Sequence, residues 1–141
     1  MATFVLVHPA CGWCWKKVAT ILRARGNEVF APTLTGLGER AHLATEAWHI
    51  TDQADLRWVL PRLTATPLGH FTEPVRRKNT AAERLPRTYI RCTVFPNPIF
   101  DRYADVARSR AGWRHRELAA NHLPFITHPD ELVGLLLEAV G

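Results

Sequence analysis

The sequence predicts an α/β fold, a small three-layer α/β sandwich in which helices cover a mainly parallel four-stranded sheet. Short apolar runs rich in β-branched residues alternate with stretches whose apolar positions recur at helical spacing, the pattern of strands separated by crossover helices. The first run, Thr3–His8, is apolar at nearly every position rather than alternating, as a strand covered on both faces must be. The chain has 141 residues, 47% hydrophobic and 22% charged, with no run of like charges and no low-complexity tract. That is enough for one domain with a core, and it excludes disorder.

Taken in order, Thr3–His8 is the first strand and a glycine-containing turn follows it. From Trp15 the apolar Val18, Ile21 and Leu22 fall on one side, and Lys16, Lys17, Arg23 and Arg25 fall on the other. This is an amphipathic helix, with Gly26 placed to stop it. Glu28–Ala31 is the second strand, ended by Pro32, and Thr35–Gly38 is a loop. Strand, helix and strand within some thirty residues make a right-handed βαβ unit. Ala54–Leu63 has Leu56, Val59, Leu60 and Leu63 on one side of a helix that Pro61 should kink or end. Thr64–Pro86 is dominated by turn formers and charges and reads as a surface excursion.

Thr88–Thr93 is the third strand, closed by Pro96-Asn97-Pro98, and Phe100–Ser109 is a helix. Arg114–Ala119 is the fourth strand. Thr127–Val140 has the strongest helical pattern, with Leu132, Leu135, Leu136 and Val140 on one face. Thr127 and Asp130 have the spacing of a capping box, and Pro129 suits the first turn. The domain thus divides into an N-terminal βαβ part (1–50), a middle segment (51–86) and a C-terminal βαβα part (87–141).

Lysine and arginine exceed aspartate and glutamate by 18 to 13, a net charge of +5, but the basic residues are scattered. No module that gathers them with aromatic or donor groups to read bases is present, so nucleic acid is not an expected partner. No membrane partner is expected either. The opening residues run straight into structure without the features of an export signal, which implies a cytoplasmic, reduced protein. Cys11 and Cys14 have the spacing of a redox pair or half a zinc site. No second close pair of Cys or His completes a zinc site, and small apolar fillers beside Trp13 and Trp15 is the simpler reading. No cofactor and no metal are expected.

Three blocks resemble the α/β-hydrolases of the esterase and hydroxynitrile-lyase-like branch. The first comprises Phe4–His8, Gly12–Val18 and Ala31–Arg40, the second Ala54–Leu63 through Phe71–Val75, and the third runs from Arg87 to Val140. The resemblance implies a truncated α/β-hydrolase fold. Residues 51–86 would derive from the cap, and the join near His49–Asp52 would skip the middle of a full-length relative. In that family the middle carries the G-x-S-x-G elbow that presents the nucleophilic serine. The motif is absent here, and the only serine is Ser109, on a helix-to-loop stretch. Without the intervening strands, Thr3–His8 would pair directly with Thr88–Thr93, giving the strand order second, first, third, fourth.

The residue matching the family's catalytic histidine is His122, after the last strand and before the last helix. As a general base it needs a nucleophile within reach and an acid to orient it. Cys11, Cys14 or an activated water is the candidate nucleophile. Asp101 is the carboxylate nearest to the loop after the third strand, which itself has none. Ala10 could offer an oxyanion N–H, whereas Pro9 has none to give. Trp13, Trp15 and Phe95 are the candidate pocket lining, for a small ester or aromatic ligand. His8 and His128 are read as structural residues. Two function classes follow: an esterase-type hydrolase, or a binding or structural protein that keeps the fold without the chemistry. Edges left by the absent strands, together with five tryptophans, imply a homodimer with Trp48 or Trp58 near the middle of its interface.

Overall fold

The computed structural model describes residues 1–7, 12–32, 50–62, 74 and 81–141. His8, Pro9, Ala10, Cys11, the Thr35–Gly38 loop, Trp48, Leu63 and most of the 64–86 excursion lie outside the described residues.

Strand β1 (Thr3–Val5) pairs in parallel with β2 (Glu28–Phe30), Phe4 opposite Val29. Between them runs α1 (Lys16–Ala24), entered through a 3-10 turn at Gly12–Trp15. The helix ends as its glycine predicts. Gly26 takes φ +76°, and its N–H bonds the Arg23 carbonyl while the Asn27 N–H bonds that of Leu22, the paired bonds of a Schellman cap. Asn27 then accepts from the Ala2 N–H at 3.0 Å, which ties the start of β1 to the end of α1.

Helix α2 (Gln53–Val59) is capped by Asp52, whose carboxylate accepts from the Ala54 and Asp55 N–H groups. It gives way to a 3-10 turn at Leu60–Arg62, because Pro61 can neither donate nor fit beneath the preceding carbonyls. Strand β3 (Arg87–Cys92) pairs in parallel with β4 (Trp113–Leu118) over six rungs, Arg87 opposite Trp113 through Cys92 opposite Leu118. Helix α3 (Pro98–Ser109) connects them, with Pro98 in the first turn and Asn97 as the cap.

The predicted last helix starts at Pro129 rather than Thr127, and a short helix precedes it. α4 (Pro124–Thr127) and α5 (Pro129–Val140) meet at His128, whose side chain makes no capping bond. The capping box of Thr127 and Asp130 is not formed. The Thr127 hydroxyl instead donates back to Asn121 at 3.0 Å, which leaves it on the last turn of α4 rather than at the mouth of α5.

The described strands form two two-stranded sheets, β1–β2 and β3–β4, in a mixed α/β chain. The single four-stranded sheet, with Thr3–His8 pairing Thr88–Thr93, is therefore a correction. With three residues, β1 offers a neighbour too few ladder bonds to match a six-residue strand. Helix packing joins the halves instead, with α1 lying against α5 and α4. Phe4, Leu6, Val18, Leu22, Val29, Ile50, Val59, Leu118, Ile126 and Val133 share one apolar cluster. Each such side chain contributes roughly 1.5–3 kcal/mol by leaving water. The Lys17 ammonium adds a polar tie, donating to Asp55 on α2 and to the Ile126 carbonyl on α4. Trp58 is engaged within its own chain, edge-on to Trp13 at 5.1 Å and beneath the Arg62 guanidinium.

Candidate active site

The loops leaving the carboxyl ends of β3 and β4 bring three flat rings together. Backbone bonds run past the strand ends, Thr93 N–H to Leu118 and Val94 N–H to Ala120, so the two loops leave side by side. Phe95 lies on the first loop, His122 on the second, and Phe100 in the first turn of α3. The His122 imidazole stacks on Phe100 at 5.3 Å and 10° and meets Phe95 at 4.7 Å and 32°. Phe95 and Phe100 also meet each other at 5.9 Å, so the three rings form one cluster in which His122 is half-buried. Burial pushes its pKa below the ordinary histidine value, since desolvation disfavours the charged form. At neutral pH the ring is uncharged, the form that can accept a proton.

Asp101 does not orient this imidazole in the structure. Its carboxylate accepts from Nε of Arg91 at 2.8 Å. Arg91 is a buried cation on β3, and a second of its nitrogens donates to the Cys92 carbonyl. Among the described residues no carboxylate hydrogen bonds to His122. Ser109 stands at the far end of α3, donating to the Asp105 carbonyl of its own helix at 2.9 Å. Cys14 is buried at 1% exposure, which denies a substrate access to its sulfur. Burial raises the Cys92 thiol pKa, so that thiol stays protonated.

The expected pocket lining is not gathered around one point. Trp13 packs on Trp58, Trp15 tilts over Phe125 at 4.8 Å, and only Phe95 meets His122. The Trp15 indole N–H is buried and finds no hydrogen-bond partner among the described residues. A shallow groove between β3–β4 and α5, lined by Thr88, Arg114, Arg116 and Glu138, does not include His122. Among the described residues no three His, Cys, Asp or Glu side chains gather to hold a metal, and no helix is long and apolar enough to cross a membrane.

Sequence reasoning missed Phe100 and Arg91. Phe100 had a legible signal, an aromatic just inside the helix start marked by Asn97-Pro98 and five residues beyond Phe95. Arg91 stood as a lone cation between Ile90 and Cys92 in a strand, a position that demands a partner.

Part of the chain is similar to proteins named as esterases. A carbendazim hydrolyzing esterase of Nocardioides sp. (strain SG-4G) is 46% identical over 70 residues, 48% of this chain and 28% of that protein. Methyl jasmonate esterase 1 of Vitis vinifera is 45% identical over 51 residues, 35% of this chain and 20% of that protein. The matched stretches thus span less than a third of either relative. No family model matches the chain, and no solved structure matches it. These similarities support an ester-hydrolase-like ancestry for the matched part of a mixed α/β chain.

Proposed function

We propose that this chain is an α/β-hydrolase-like protein with ester hydrolysis as its inherited role and His122 as the general base. The observation that carries the reading is the uncharged imidazole clustered with Phe95 and Phe100 at the carboxyl end of the β3–β4 pair. An uncharged ring can take the proton of a nucleophile attacking the ester carbonyl carbon and return it to the departing alkoxide. With Cys14 buried and Ser109 bonded to its own helix, the nucleophile is Cys11 or water.

A chromogenic ester tests this. His122→Ala should lower turnover about a hundredfold, and equal turnover in the variant would sink the proposal. Inactivation by a thiol-blocking reagent would assign the Cys11 route, and insensitivity to it the water route.

A second reading, ligand binding without turnover, is favoured by the engagement of Asp101 with Arg91, which leaves the imidazole without that acid. Saturable binding of a small ester or aromatic ligand with no product would select it. Under either reading we place the protein in the cytoplasm as a homodimer. The outward Val5, Val7 and Phe30 supply apolar surface of the kind a second copy covers. Light scattering that gives a monomer mass across a dilution series would contradict the dimer.

A further inference from the structure

We propose that Tyr89 and Arg91 are positioning residues for His122, clamping the first turn of α3 to β3 so that the Phe100 ring stays flat against the imidazole. The proposal rests on the reading of His122 as the base. A helix's first turn is its least secured part, because its leading N–H groups lack intrahelical partners. Here that turn is held from three directions. Asn97 accepts from the Ile99 N–H at 3.0 Å, the Tyr89 hydroxyl donates to the Phe100 carbonyl at 3.1 Å, and Arg91 grips the Asp101 carboxylate at 2.8 Å.

Tyr89 and Arg91 are two apart on β3, so their side chains leave the same face of the strand roughly 6–7 Å apart. Their anchor points are consecutive residues of α3. A single bond would leave the turn free to pivot; two bonds to adjacent residues fix its rotation, and with it the plane of the Phe100 ring. Arg91 is buried while Asp101 is well exposed, with side-chain exposures of 7% and 59%. The cation therefore depends on this partner for compensation. Asp101 acts on His122 through Phe100, not by contact.

Histidine resonances of the full chain read the clamp directly, because an aromatic ring stacked on an imidazole displaces its proton signals upfield. The His122 signal is assigned by its loss in His122→Gln. In Arg91→Gln it should move toward the position of an unstacked histidine, in Tyr89→Phe it should move less, and in Arg91→Lys it should largely return. The His128 signal should stay in place as the report of an intact fold. Ester turnover should fall about tenfold in Arg91→Gln with KM within about twofold, as for a misplaced catalytic group. An unmoved His122 signal in folded Arg91→Gln and Tyr89→Phe would overturn the proposal. Should Arg91→Gln fail to fold, Tyr89→Phe, which removes one hydroxyl, decides alone. If the parent protein hydrolyses no ester, the reading of His122 as base fails, while the resonances still decide the clamp.

Discussion

The β1–β2 pair has three rungs and one covered face: Phe4, Leu6 and Val29 turn inward, and Val5 and Phe30 stand 64% and 53% exposed on the other side. The β3–β4 pair has six rungs and a helix on each face. Side chains from its two faces reach opposite neighbours, Tyr89 and Arg91 to α3, Arg114 and Arg116 to α5. A ribbon held on both faces can position loops at its end, and His122, Phe95 and Phe100 are found there. The N-terminal pair contributes chiefly through α1, whose Val18, Ala19 and Leu22 are buried in the shared core.

The contrast can be broken by overfilling one pair and stripping the other. Helix α3 lies against its sheet through Ala104 and Ala107, each 1% exposed. Ala104→Leu should cost about 1–3 kcal/mol, since a close-packed interface has no room for added methyl groups; denaturant titration that shows no loss would mean α3 is loosely seated. Acid provides the next largest effect. Because burial depresses the His122 pKa, its contribution to stability is fully present above the unfolded value of ~6.5 and is lost as pH falls through and below it. His122→Phe keeps a flat ring without the proton site, so its urea midpoint should fall less between pH 7 and 5 than that of the parent. Identical slopes would contradict the burial. The smallest effect belongs to the outward face of β1–β2, where Phe30→Thr, measured at dilutions below dimer formation, should change stability by no more than about 0.5 kcal/mol. A larger loss at those dilutions would show that the chain itself covers this face.

What the sequence revealed follows the same division. Elements set by local chemistry were legible: α1 with its Gly26 stop, the break at Pro61, and α3, which starts at Pro98, two residues before the expected Phe100, depend on neighbours within a turn of chain. Strand order was not, because it depends on whether a short β1 can bridge to β3, which residue spacing does not encode. The capping box failed for a related reason. Thr127 matched the motif, yet Asn121 across a tight loop offered its hydroxyl a closer partner. In the site, His122 and Phe95 were legible from their places after strands. The assignment of Asp101 turned on Arg91, a long-range partner that no spacing rule ties to it, and the signal of Phe100 acquired its meaning only once the docking of α3 set its ring beside His122.

The pH profile of kcat/KM on a chromogenic ester tests the central claim most directly. A base working in its uncharged form loses activity as it gains a proton, so the rate should fall toward acid through one ionisation below the ordinary histidine value of ~6.5. That ionisation should be missing from the residual activity of His122→Ala. A profile flat across this range, or one that survives unchanged in His122→Ala, would contradict the assignment of His122 as the base.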